Sequence, residues 1–110
     1  MLKESDYVLI RVMVPAGDAK KVRQAMGDVG AGKQGNYEFC SSTFESTGRF
    51  KPIDGASPTI GEVGKNEEVA EQTIETLCHK DLIEKVVETI KQAHPYEEPA
   101  FDIIPRLELS

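Results

Sequence analysis

The stretch Asp6-Tyr7-Val8-Leu9-Ile10-Arg11-Val12-Met13-Val14 decides how this chain folds. It is dense in β-branched residues and stops at Pro15, which is the signature of a strand. Val8, Ile10, Val12 and Val14 fall on one face; Tyr7, Leu9, Arg11 and Met13 fall on the other. Both faces are largely apolar, so both are expected to be covered.

Past the proline the period changes. Gly17-Asp18 opens a helical pattern in which Asp18 is the expected N-cap. Val22, Ala25, Met26 and Val29 recur at helical spacing, with Lys20, Lys21, Arg23 and Gln24 on the wet side. Gly30 and Gly32 supply the terminating chemistry. A second strand is expected over Asn36–Phe44, with Tyr37 and Phe39 sharing a face. From Gly48 to Lys65 no period fits, and glycines alternate with Pro52 and Pro58. So long an irregular segment is uncommon in a small domain and is often functional.

Ala70–Cys78 reads as a third strand. Asp81 with Glu84 three residues on gives an acidic variant of the capping box. The helix that follows buries Ile83, Val86, Val87 and Ile90, and His94-Pro95 ends it because a residue before proline leaves helical geometry. Ala100–Leu109 is a fourth strand, in which Pro105 argues for an edge.

The order is βαββαβ, and the halves match at an offset of 64 residues. Val14 falls on Cys78, Val22 on Val86, Met26 on Ile90, Tyr37 on Phe101 and Phe39 on Ile103. Right-handed crossovers then give an α+β, ferredoxin-like domain spanning 1–110. It has one four-stranded antiparallel sheet with two helices on one face, strands one and three central. The other face carries an apolar row that calls for a partner, so a homo-oligomer is expected. The alternative is that the long loop folds back across it.

Composition narrows the function. With 110 residues there is room for one domain; 39% are hydrophobic and 29% charged, which is too apolar for disorder. Thirteen Lys and Arg against nineteen Asp and Glu leave a net charge of −6. That balance repels phosphate backbones, and Trp is absent, so no nucleic-acid partner is expected. Arg11 interrupts the first apolar run, which is too short to span a bilayer and makes a poor leader, so no membrane partner is expected either. Two cysteines, Cys40 and Cys78, do not make a disulfide framework, and the cytoplasm is the expected compartment.

Three blocks carry a resemblance. Gly48-Arg49-Phe50-Lys51-Pro52, Gly55-Ala56-Ser57-Pro58 and Ile60-Gly61-Glu62-Val63-Gly64-Lys65 together resemble the loop of the domain inserted in YqfO/Nif-three-like proteins. Ile74-Glu75-Thr76 and the hexapeptide His94-Pro95-Tyr96-Glu97-Glu98-Pro99 resemble that domain too, so the likeness spans the whole chain. A similar His-Pro-Tyr signature occurs in CutA-type divalent-cation-tolerance proteins, which are ferredoxin-like trimers, and the inserted domain is similar to CutA and PII proteins. The resemblance implies a free-standing CutA/PII-like module and a trimer. It does not bring a catalytic metal site, which in that family lies on the flanking domains.

The candidate residues carry paired readings. His94 with Glu97 or Glu98 is the metal reading, with a divalent ion as the one candidate cofactor. The structural reading has the imidazole favour the helix end and the carboxylates. Glu97 and Glu98 are alternatively partners for Arg49 or Lys51. Arg49, Lys51 and Lys65, with loop amides, form a candidate anion site; Phe50, Glu62 and Tyr96 complete the candidate ligand set. Gly61-Glu62-Val63-Gly64-Lys65 fails the Walker pattern at Thr59 and Asn66. Cys40 and Cys78 are expected to meet at neighbouring strand ends, as core residues or as a soft-metal pair. No nucleophile and base can be assembled. The expected function is therefore non-enzymatic: small-ligand or metal sensing, or binding of a protein partner, with a CutA-type divalent-metal protein as the alternative.

Overall fold

The computed structural model describes residues 1–110. Strand β1 spans Leu2–Pro15, helix α1 Ala19–Asp28, β2 Ser42–Phe50, β3 Glu67–His79, α2 Ile83–Ala93 and β4 Ala100–Leu109. A single 3-10 turn precedes each helix, at Ala16–Asp18 and Lys80–Leu82. The four strands form one antiparallel sheet in the order β2-β3-β1-β4. This is the ferredoxin-like α+β arrangement, with β1 and β3 central and β4 at an edge. The molecule measures 50 × 27 × 24 Å. At about 3.3 Å per residue, β1 alone accounts for most of the long dimension.

The β1 alternation sorts the faces. Val8, Ile10, Val12 and Val14 are sealed against α1 and α2 with Ile74 and Cys78 of β3 and Val22, Met26, Val86 and Ile90 of the helices. Burying each such aliphatic side chain contributes about 1.5–3 kcal/mol. The 64-residue offset holds through the first strand, the 3-10 turn and the helix start, since Ala16 and Ala19 correspond to Lys80 and Ile83.

The offset fails after the helices, which corrects the second strand. Residues Asn36–Cys40 lie outside the sheet, and β2 begins at Ser42. Gly32 N–H donates to the Leu77 carbonyl at 2.7 Å, and Cys40 N–H to the Gly32 carbonyl at 3.0 Å. Gln34 and Tyr37 exchange two backbone hydrogen bonds of 2.9 Å, forming a tight turn. These bonds hold the segment in an excursion, where Tyr37 and Phe39 are exposed and Phe39 takes φ = 57°. The expected correspondence of Tyr37 to Phe101 and of Phe39 to Ile103 in the repeat therefore does not hold. β2 also runs through Gly48–Phe50, so the irregular loop is 51–66.

The helix starts differ from expectation as well. Asp18 makes no side-chain capping bond, and neither does the α2 N-cap residue, Leu82. The Asp81 N–H is instead taken by His79 Nδ1 at 3.1 Å, one residue before the 3-10 turn. Pro105 faces Val8 where the β1–β4 register shifts, between Glu4 and Val8. A residue without an N–H is least costly at such a break. Ser5, fully buried there, accepts from Tyr7 N–H at 3.0 Å and donates to Glu108 Oε2 at 3.0 Å.

The second sheet face is mixed. Tyr7, Leu9 and Met13 are half-buried and Phe44 is half-exposed, but Arg11 and Glu75 pair across the centre at 2.9 Å. The loop does fold back, though over one end only, above Met13, Gly48 and Glu71. No helix is long and apolar enough to cross a membrane.

Candidate functional site

Strand alternation and one short turn build a cavity at that covered end. On β3 the register pairs Ser46 with Glu71 and Met13 with Thr73, so Glu71 and Thr73 stand on the face away from the helices. Ser46 and Thr73 hydroxyls bond across the strands at 2.9 Å. Loop 51–66 passes over these residues, anchored by buried Pro52. It is tied to the segment after α2 at two points. Glu97 Oε2 accepts from Ser57 N–H at 3.0 Å, and Thr59 Oγ1 donates to the Pro95 carbonyl at 2.7 Å. The space enclosed is about 480 Å³, within the usual range for small-molecule sites.

His94 sets the turn. It is buried, with Nε2 2.7 Å from the Met13 carbonyl and Nδ1 accepting from Tyr96 N–H at 3.1 Å. Because Nδ1 is the acceptor, the ring proton sits on Nε2 and donates to Met13. Both nitrogens are committed to backbone, which leaves no lone pair for a metal ion. This geometry suits the structural reading of His94. No group of three or more His, Cys, Asp or Glu side chains is arranged to hold a metal ion.

Tyr96 closes the cavity wall. Its ring meets Phe50 edge-on at 5.7 Å between centroids and lies 5.0 Å from His94. Its hydroxyl donates to Glu71 Oε2 at 3.0 Å. Burial first, then the Glu71 hydrogen bond and charge, push the phenol well above its usual range. Glu71 is only 6% exposed, and its Oε1 has no hydrogen-bond partner in the chain. The carboxylate lies over Gly48, where an added methyl group would overlap it. A side chain at position 48 would therefore displace the Glu71 carboxylate.

Arg49, Phe50, Lys51, Tyr96, Glu97 and Glu98 all line this cavity, while Glu62, Lys65 and His94 do not. Arg49 pairs with its cross-strand partner Glu68 at 3.1 Å, and Lys65 pairs with Glu62 at 3.0 Å. The expected pairing of Glu97 or Glu98 with Arg49 or Lys51 is therefore replaced. The two motifs do lock together, but through Ser57, Thr59 and the turn backbone. Lys51 remains an exposed cation without an acidic partner. Glu71 escaped sequence reasoning, although its place in the polar Glu71-Thr73-Glu75 row of a central strand was a usable signal.

Of the two cysteines, Cys40 is placed differently. Cys40 precedes β2, and its carbonyl accepts from Thr76 Oγ1 at 2.7 Å. Cys78 is buried in the helix-side core, where desolvation raises its thiol pKa. Each thiol points to a backbone carbonyl near its own position, Glu38 and His79 respectively.

Comparison with known proteins agrees with the fold. No family model matches the chain. It is 45% identical over 102 residues to the GTP cyclohydrolase 1 type 2 homolog of Halalkalibacterium halodurans, covering 93% of this chain and 27% of that protein. The homolog from Bacillus subtilis is 45% identical over 96 residues, covering 87% and 26%. The chain thus spans about a quarter of the length of the curated relatives it matches. A Bacillus cereus protein related to NIF3 superposes with a TM-score of 0.80 at 40% identity, covering 96% of this chain and 26% of that one. The periplasmic divalent cation tolerance protein CutA of Archaeoglobus fulgidus superposes at 0.66 and 17% identity over 91% of this chain and 83% of its own. At that identity the CutA likeness is one of fold. In sequence and in three dimensions the match is to about a quarter of longer proteins: the chain is similar to one segment of the GTP cyclohydrolase 1 type 2 homologs and of a NIF3-related protein, and its fold is CutA-like.

Proposed function

We propose that this chain is a non-enzymatic module that binds a small ligand in the cavity between loop 51–66, the His94–Pro99 turn and the sheet. The observation that carries the reading is the cavity itself, lined by six of the residues singled out from sequence. Phe50, Pro52, Ile53, Pro58 and Ile60 give it apolar wall area beside polar and charged side chains. The unpartnered Glu71 oxygen is an acceptor, and an N–H or ammonium donor on an apolar body suits it. Lys51 at the rim suits an acidic substituent.

The non-enzymatic assignment rests on how the polar groups are used. His94 spends both nitrogens on backbone, Glu97 holds Ser57, and the Tyr96 phenol stays protonated against Glu71. None is free to move a proton. We further assign a homo-oligomer, as the trimer that the CutA resemblance implies, built on the remainder of the open face. Tyr7, Leu9 and Phe44 lie there, and burying three such side chains contributes about 5–8 kcal/mol before association costs. The free thiols Cys40 and Cys78 support a reducing compartment, the cytoplasm.

The test is a thermal-shift screen of the intact chain against nucleotides and small amines, with zinc and copper as a separate arm. A ligand at a hundred times its Kd adds about 2.7 kcal/mol of stability. The expected result is stabilisation by an organic N–H donor, reduced in Glu71→Gln. A shift with metal alone overturns this reading in favour of a CutA-type metal protein. No shift in either arm overturns it in favour of a protein-interaction role.

A further inference from the structure

A second, smaller cavity lies on the opposite side of the sheet and shares no lining residue with the first. It measures about 120 Å³ and sits between α1, β3 and the segment Phe39–Ser41. That is more than one water needs, and it leaves room for a small oxyanion.

Arg23 lines it. The helical pattern assigns Arg23 to the wet face, yet its Nε is sealed from water and has no hydrogen-bond partner. No acidic side chain pairs with its guanidinium, in a chain where acids outnumber bases by nineteen to thirteen. The one acid within α1, Asp28, accepts from Gln24 Nε2 at 3.0 Å. A desolvated guanidinium N–H without an acceptor is a costly arrangement, and an anion relieves it.

The surrounding backbone is shaped for the cavity. Phe39 holds φ = 57°, a left-handed conformation unusual for a non-glycine residue. Its ring closes directly on Gly27, where any methyl group would overlap it. A glycine inside a helix and a left-handed phenylalanine are both locally unfavourable, and here they meet at one wall. Ser41 adds a hydroxyl, while Met26, Ile74 and the Phe39 ring keep the surroundings apolar. Low polarity strengthens a charge-assisted bond to Arg23.

We propose that this cavity is a binding site for a small oxyanion, a phosphate or carboxylate group, held by the Arg23 guanidinium. Inorganic phosphate and acetate are titrated separately into the intact chain, with the Arg23 Nε–Hε signal and the Cys40 and Ser41 amides followed by NMR. Saturable shifts of these signals are expected with at least one anion. Phosphate alone identifies a phosphoryl group, acetate alone a carboxylate, and both together a general oxyanion site. Arg23→Lys keeps the charge but loses the planar fork, and weakens binding about tenfold or more. Gly27→Ala displaces the Phe39 ring and removes binding while leaving Arg23 in place, which covers the case of an Arg23 variant that folds poorly. Tyr96→Phe leaves the titration unchanged, because it alters only the other cavity. Absence of saturable shifts with either anion, or shifts that persist in Arg23→Gln, overturns the proposal.

Discussion

Replacing Tyr96 with phenylalanine removes one oxygen and tests the candidate site at its centre. The ring stays, so the edge-on contact with Phe50 and the packing on His94 are retained. What is lost is the 3.0 Å bond to the Glu71 carboxylate, which is 6% exposed and takes no other side-chain donor. A hydrogen bond to a charged group contributes about 1.5–3 kcal/mol, and a buried acceptor left bare costs about as much. The expected loss is therefore about 1.5–3 kcal/mol by urea denaturation, with Tm falling about 4–8 °C per kcal/mol. Protein concentration must be matched, because any self-association couples to stability. A cycle with Glu71→Gln isolates the pair, and the double variant should lose less than the sum of the two singles.

The same pair predicts an alkaline signature. The Tyr96 phenol is raised in the folded chain relative to an ordinary tyrosine near 10. The unfolded chain therefore loses this proton first, so the stability it contributes is full below about pH 10 and declines as pH rises further. Absorbance titration should show that one of the three tyrosines ionises only on unfolding, a component absent from Tyr96→Phe. A destabilisation below about 0.5 kcal/mol with additive single effects would refute the closed Tyr96–Glu71 wall.

Gly48→Ala should push the Glu71 carboxylate off its seat and cost about 1–3 kcal/mol, as overpacking does; an unaltered urea midpoint would contradict the close approach. Leu9→Asp on the open face should reduce the sedimenting species toward the 12.1 kDa of one chain with an unchanged circular dichroism spectrum. Wild type that already sediments as a single chain would remove the oligomer. Ile10→Ala, at a fully buried position between the sheet and the helices, should cost about 2–5 kcal/mol in denaturation; a loss under about 1 kcal/mol would mean that the two faces of β1 are wrongly assigned.

Local pattern was sufficient where it is strong. The β1 alternation separated a sealed row from a half-covered one, and helical spacing found Val22, Met26, Val86 and Ile90. Pro105 marked an edge because a missing N–H is a local fact with one global meaning. Strand order then followed from element order and the handedness of crossovers. These features depend on residues close together in the chain.

Only the tertiary structure decided the rest. β2 reads Ser-Thr-Phe-Glu-Ser-Thr-Gly-Arg-Phe, an edge strand with little apolar signal of its own, and its position is set by pairing with β3 some twenty-five residues on. Asn36–Cys40 has the better strand composition but is held out of the sheet by bonds to Gly32 and Thr76. The motif residues were visible as motifs, yet their partners were not. Glu97 meets a backbone N–H, Tyr96 meets Glu71, and Arg49 meets Glu68. Sequence specifies which groups can bond, whereas the register and the path of the loop choose among them, since those depend on contacts between residues far apart in the chain.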